Sequence, residues 1–115
     1  MNNITIFLNR LRTTPEDIQF ADVIALIDAH YDYTPTAFVN GTATNQTSEN
    51  QGSAKVFSFA RLHELNETDT LLCFAEYFRA VDTNPTGDDH QNIRQFMASG
   101  WQGLQLPNTC LSAKK

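Results

Sequence analysis

Apolar residues near the start of the chain recur every three to four positions, which is the period of an amphipathic helix. The residues with this spacing are Ile4, Phe7, Leu8 and Leu11. Asn3 stands just before them and is a suitable N-cap, because its side chain can accept a bond from the first turn. The pattern predicts a first helix over about residues 3–12.

A second helix is predicted to begin at Thr14-Pro15, which combines a capping residue with proline at the first helical position. The acids at 16 and 17 suit its first turn, because the helix dipole favours negative charge there. Its apolar stripe consists of Phe20, Val23, Ile24, Ile27 and Tyr31. We expect this helix to reach about residue 32, with room for a break near Gln19.

The next segment is short and punctuated by turn residues. Thr34 precedes a proline and is therefore disfavoured in a helix, and residues 36–39 and 42–44 flank the dipeptide Asn40-Gly41. Asn-Gly supplies the two positive φ angles of a type I′ turn, so a short β-hairpin is predicted around it. Residues 45–52 are polar and are predicted to form an irregular loop.

Three more helices are predicted in the second half. The first runs from Ser53 to about residue 65, and the second from Asn66 to about residue 81. The second is apolar nearly all round, so we expect it to be central. The third begins at Asp88 or Asp89, presents His90, Ile93 and Met97 beside Phe96, and ends at Gly100, with Trp101 folding back onto it.

These elements predict an α+β fold that is mainly α, a single compact domain of about five helices with one short β-hairpin. A length of 115 residues fits one domain. We assign residues 1–106 to this domain and expect residues 107–115, which are mostly polar, to form a flexible tail.

The charge balance excludes two classes of function. Thirteen acidic residues against eight basic ones, with no dense basic cluster, argue against binding to nucleic acid or to a membrane surface. No apolar run is long enough to span a bilayer, and no secretory signal is recognised, so we expect a cytoplasmic protein. Cys73 is predicted to be a buried small hydrophobe and Cys110 a thiol in the tail. We expect a monomer.

Two clusters near the middle of the chain could carry chemistry. Asp28 and Asp32 lie one turn apart at the end of the second helix, where the helix dipole disfavours anions. They form either a solvated face paired with a cation such as Lys55, or part of a polar site with His30. Ser53 and Lys55 lie in the first turn of a helix, where Lys55 either pairs with an aspartate or helps to hold an anion.

A third cluster begins the last helix. His90 and Arg94 are four residues apart, so both side chains can reach one place, with Asn92 between them. The acids at 88 and 89 can also be simple capping charges, and a lone histidine is more often structural than functional. No spacing of a metal site, catalytic nucleophile or dinucleotide fingerprint is present, so no metal and no cofactor are predicted.

The chain also resembles a known family. The string Tyr-Asp-Tyr-Thr-Pro-Thr-Ala-Phe at 31–38 is its most specific element, and the resemblance covers about residues 4–104. The matching segments are 20–22, 27–29, 31–38, 40–41, 52–55, 57–60 and 90–101. They resemble the HopJ (HopPmaJ) family of bacterial type III effector-like proteins. The resemblance implies no established activity, and secretion through a type III system is a possibility that it adds. The polar positions matching the family are Asp32, Asn40, Ser53, Lys55, His90, Asn92 and Arg94.

Three functional hypotheses follow. The first is a binding module for a small anionic molecule or peptide, at a site formed by those seven residues. The second is an enzyme of unknown reaction in which Asp32 and His90 form an acid–base pair. The third is an interaction protein, docking a host or bacterial protein through Trp101 and the hairpin. We rank binding or interaction above catalysis, because no complete catalytic set can be assembled from the spacing.

Overall fold

The computed structural model describes residues 3–108 and 110–114. Within them the chain forms six α-helices, two 3₁₀ turns and five short strands, which confirms the predicted mainly α, α+β class. The helices are α1 (Ile4–Thr13), α2 (Phe20–His30), α3 (Gln51–Leu62), α4 (Glu67–Leu72), α5 (Glu76–Thr83) and α6 (Gln91–Ser99). The strands are β1 (Tyr31–Tyr33), β2 (Phe38–Asn40), β3 (Ala43–Asn45), β4 (Leu104–Gln105) and β5 (Leu111–Ala113). The 3₁₀ turns are Pro15–Asp17 and Gly100–Gly103.

Several predicted helix ends are confirmed. The Asn3 side chain accepts the N–H of Ile6, and the Asn66 side chain accepts that of Asp69 at 2.7 Å. Gly100 ends α6 with a φ of +60°, a value that glycine adopts without steric cost. The predicted break in the second helix is also present, since Pro15–Asp17 is a separate 3₁₀ turn before α2.

The predicted helix over residues 66–81 is instead two helices, α4 and α5, separated at residues 73–75. Cys73, Phe74 and Ala75 are all buried. At this point the chain leaves the helical path and turns between α4 and α5. Ala75 makes this turn with a φ of +56°, although no glycine or proline marks the place.

The central helix is α3, not the one predicted. Six of its residues are buried: Ala54, Val56, Phe57, Ser58, Phe59 and Ala60. Phe57 lies in the middle of the core, where its ring contacts Phe38, Phe74 and Phe96 at centroid distances of 6.4, 5.3 and 5.0 Å. α2 packs along one side of α3.

The hairpin is confirmed with a different turn. Asn40 pairs with Ala43, so the turn residues are Gly41 and Thr42, and Gly41 has a φ of +60°. Glycine at the first central position is typical of a type II′ turn rather than the predicted type I′. β4 adds a third strand to give the antiparallel order β3-β2-β4. A strand pair of this size needs such support, because an isolated hairpin is marginally stable.

The end of the chain corrects the predicted flexible tail. β5 pairs antiparallel with β1, placing Asp32 opposite Ser112. Cys110 and Leu111 are buried, so Cys110 is not the exposed tail thiol that was expected. The apolar side chains of this short segment cover the core beside α3, which explains its order. Residues 1, 2, 109 and 115 of the predicted domain and tail lie outside the described residues.

Candidate functional site

A cleft of about 440 Å³ opens where the first turns of α3 and α6 approach each other beside β3. This volume lies within the range of small-molecule sites. The lining residues are Phe20, Ala43, Thr44, Asn45, Asn50, Gly52, Ser53, Phe74, Tyr77, His90, Gln91, Asn92 and Ile93. None of these described lining residues is an aspartate or a glutamate, although the chain carries thirteen acidic residues.

One wall of the cleft is aromatic. The Phe20 ring stacks on Phe74 at a centroid distance of 6.1 Å and lies 4.9 Å from Tyr77. Tyr77 in turn stacks on His90 at 5.2 Å with an angle of 24° between the rings. Glu76 holds this wall in place, because its carboxylate accepts the backbone N–H of Phe20 at 2.6 Å.

The opposite wall is built from side-chain amides. Asn92 and Asn45 exchange hydrogen bonds of 3.0 and 3.2 Å. Asn50 donates to Asn45 at 2.8 Å, and the buried Asn40 donates to both the backbone and side-chain oxygens of Asn92. Since buried amides are costly unless they are paired, this network fixes the wall rigidly. One buried acceptor, Oδ1 of Asn40, has no partner among the described atoms.

Two helices present their N-terminal turns to the cleft. The first N–H groups of a helix have no acceptor within it and carry the positive end of the helix dipole. The residues before α3 and α6, Asn50 and His90, have left-handed backbones with φ of 52° and 50°. Neither side chain caps its helix. The backbone N–H groups of Gly52 and Asn92 thereby lie at the cleft, and N–H groups at a helix N-terminus stabilise anionic groups.

The structure brings some of the predicted site residues together. Ser53, His90 and Asn92 all line the cleft, and Asn40 supports it from behind through Asn92. These positions span about half the length of the chain. They come together because the first turns of α3 and α6 line the same cleft.

Lys55 does not line the cleft. Its Nζ lies 2.8 Å from the carboxylate of Asp28 and 5.2 Å from the centre of the Tyr33 ring. The lysine–aspartate pair, one of the two alternatives for Lys55, is therefore formed. The same contact neutralises the negative charge of Asp28 near the end of α2.

Arg94 turns back toward the loop before α6. Its guanidinium lies 2.6 Å from the carboxylate of Asp89 and donates to the carbonyl oxygens of Asn84 and Pro85. The hydrogen bond from Arg94 lowers the pKa of Asp89, and the nearby charge of His90 adds to this effect. Arg94 therefore holds a loop, and it is not among the lining residues of the cleft.

Two further predicted residues lie elsewhere. Asp32 is exposed on β1 and is not among the residues that line the cleft beside His90. Trp101 is half-buried, with its ring packed edge-on against Phe96 at 5.1 Å. Much of the indole thus contributes to the core.

Sequence reasoning missed the aromatic wall and half of the amide wall. Phe20 was assigned to the apolar stripe of a helix, and Asn45 and Asn50 to an irregular loop. A usable signal is present in the composition, because asparagine and glutamine recur through residues 45–51, where Glu49 is the single charged residue.

The described residues contain no group of three His, Cys, Asp or Glu side chains placed to hold a metal ion. Burial raises the pKa of the Cys73 thiol to about 12, and the carboxylate of Asp69 adds to this effect. A thiol with such a pKa is a poor nucleophile at neutral pH. In the described part of the chain, no helix is both long and apolar enough to cross a membrane.

The fold and the cleft define a small, mainly helical α+β domain with a ligand-sized cleft, free of acidic lining residues, between two helix N-termini. The chain belongs to the HopJ type III effector protein family, whose model matches residues 4–111. It is similar to a solved protein described as "unknown function protein VPA0580", with 43% sequence identity and a TM-score of 0.92. That similarity covers 97% of this chain and 94% of the other. Among curated proteins, no significant match is found.

Proposed function

We propose that the protein is a small-molecule binding module whose cleft takes a compact anionic ligand. The observation that carries the proposal is the convergence of two helix N-termini on one cleft that is free of acidic lining residues. In a chain of net charge −5, a cleft without carboxylates is suited to negative charge in a way that the rest of the surface is not.

The ligand-binding residues under this proposal are Ser53, His90 and Asn92, with the backbone N–H groups of Gly52 and Gln91. The Ser53 hydroxyl can donate to an anionic oxygen at the α3 side. His90 and Asn92 serve the α6 side, while Asn40 and Asn45 keep Asn92 in place. Lys55 and Arg94 are outside this set, because aspartates already hold them.

The test is a titration with inorganic phosphate followed by amide chemical shifts. We expect saturable shifts at millimolar phosphate for Gly52, Ser53, Gln91 and Asn92, with little change in α1. Absence of shifts at these amides up to tens of millimolar phosphate would overturn the proposal.

A charge variant makes the test specific. Ser53→Asp places a carboxylate in the cleft and should weaken phosphate binding by about tenfold or more. Thr5→Asp adds the same charge on the exposed first turn of α1 and should leave the affinity within about twofold. Equal weakening by both variants would show that net charge, not the cleft, governs the effect.

We further propose that the protein acts in the cytoplasm as a monomer, as the sequence suggests. Both cysteines are free and buried, which suits a reducing compartment. Delivery through a type III system, which the family description raises, is the competing proposal. Cell fractionation of a tagged full-length chain, with light scattering of the purified protein, distinguishes these cases.

A further inference from the structure

The outer part of the aromatic wall is exposed. Tyr77 has 40% of its surface accessible, although it packs against Phe20 on one side and His90 on the other, and His90 is exposed as well. The Tyr77 ring is tilted by 49° from the ring of Phe20 and is stacked on that of His90. The two outer rings thus continue the wall from the buried Phe74 and the half-buried Phe20 to the mouth of the cleft.

The first turn of α3 comes very close to this aromatic surface. A Cβ atom added at Gly52 would lie 3.3 Å from Cζ of Phe20, which is tighter than ordinary contacts. Glycine at this position lets the helix backbone lie directly beside the ring. The edge of the Phe20 ring and the first turn of α3 are therefore in direct contact, so an aromatic side chain and a polar backbone meet at one place in the cleft.

The amide wall limits what kind of polar group the cleft can recognise. Asn45 uses both of its donors and accepts two bonds through its side-chain oxygen, so it is fully occupied inside the protein. The polar contacts that this wall can offer to a ligand therefore come from Ser53, Asn92 and the helix backbone. A ligand that fits both walls is flat on one side and polar at one end.

We infer that the ligand of this cleft is an aromatic anion, a planar aromatic or heteroaromatic ring that carries a phosphate or carboxylate. The inference rests on the proposed function, and it adds that the anionic ligand carries an aromatic ring. The ring lies against the surface formed by Phe20, Tyr77 and His90, and the anionic group lies toward Ser53 and the first turns of α3 and α6. Aromatic pairs gain energy beyond the area that they bury, so the wall discriminates an aromatic ring from a saturated ring of equal size.

The test compares three probes on the full-length protein: inorganic phosphate, phenyl phosphate and cyclohexyl phosphate. The two organic probes match in size and charge and differ in aromaticity. We expect phenyl phosphate to bind about three- to tenfold more tightly than cyclohexyl phosphate, as expected for one aromatic pair. The ring protons of Tyr77 should move upfield with phenyl phosphate alone.

A matched pair of variants locates the ring. Tyr77→Leu keeps an apolar side chain and should abolish the preference for phenyl phosphate over cyclohexyl phosphate. Met97→Leu changes another exposed apolar residue, outside the cleft, and should retain the preference.

The outcomes separate the two proposals. Equal affinity for the two organic probes, or a preference that survives Tyr77→Leu, would overturn the aromatic inference while phosphate binding at the cleft stands. Failure of all three probes to shift the amides of Gly52 and Asn92 would overturn both the inference and the proposed function.

Discussion

Glu67 and Trp101, which are 34 positions apart, are joined by a hydrogen bond in which the Glu67 carboxylate accepts the backbone N–H of Trp101 at 3.0 Å. The bond links the first turn of α4 to the second residue after α6. Gly100 lies between α6 and Trp101, and its φ of +60° and ψ of −154° reverse the chain so that the indole packs on Phe96. The carboxylate sits where a side chain at position 100 would project.

Gly100→Ala should therefore be strongly destabilising. The backbone angles of Gly100 are costly for any other residue, and a new Cβ would overlap the Glu67 carboxylate. We expect a loss of about 2–4 kcal/mol in the free energy of unfolding, measured by urea denaturation.

The control for this prediction is Gly87→Ala. Gly87 does not have the positive φ of Gly100, and the nearest atoms are the ends of the Asn84 and Arg94 side chains, so a smaller loss of about 1 kcal/mol is expected. The double variant Glu67→Ala/Gly100→Ala should recover the part of the stability loss that comes from overlap with the carboxylate. The part that comes from the backbone angles at position 100 should remain. Full tolerance of Gly100→Ala would contradict the assigned turn.

Local signals predicted much of the fold. The caps at Asn3 and Asn66 and the stop at Gly100 could be read from the sequence, because each satisfies backbone groups within a few residues. The break at 73–75 could not, since no glycine or proline marks it and Ala75 nevertheless adopts a positive φ of +56°. β5 was missed because its strand partner, β1, lies about 80 residues earlier in the chain.

The candidate site was predictable in part. Charge placement drew attention to the helix starts near Ser53 and His90, and both residues line the cleft. It also suggested that Lys55 and Arg94 would face the same place, whereas each is held by an aspartate. Asp28 is brought to Lys55 by the packing of α2 on α3, which spacing along one helix does not reveal, while Asp89 lies just before α6 and draws Arg94 back toward its own loop.

Leu111→Ala tests the order of the chain end. Leu111 is 7% exposed and covers the core beside α3, so its truncation should cost about 2 kcal/mol in the free energy of unfolding. Ser112→Ala, at the exposed neighbour on the same strand, should cost less than about 0.5 kcal/mol. If Leu111→Ala proved as mild as Ser112→Ala, the end of the chain would be the flexible tail that the sequence suggests.

The stability of the protein should depend on pH through His63. Burial lowers the pKa of His63, whose Nε2 lies 2.9 Å from the Tyr31 hydroxyl. Because the folded state favours the neutral imidazole, the unfolded chain binds the proton first as pH falls. The stabilisation is complete above about pH 6.5 and decreases from there down to the lower pKa of the folded state.

NMR titration of the His63 ring resonance should give a midpoint below 6.5. In the variant His63→Gln, the melting temperature should change less between pH 7.5 and 5.5 than it does in the original protein. A midpoint at or above 6.5 would be incompatible with the half-buried position of the ring.

Lys55→Met separates the site defined by the structure from the one suggested by charge placement. Because Lys55 is held by Asp28 outside the cleft, the variant should leave the affinity for inorganic phosphate within about twofold. The free energy of unfolding should fall by at most about 1 kcal/mol, since Asp28 is half exposed and the pair is screened by solvent. Asp28→Asn breaks the same ion pair from the other side, and the two effects should not add when the variants are combined. A loss of phosphate affinity of tenfold or more in Lys55→Met, without one in Asp28→Asn, would mean that the lysine leaves Asp28 to reach the ligand, and the site would then have to include it.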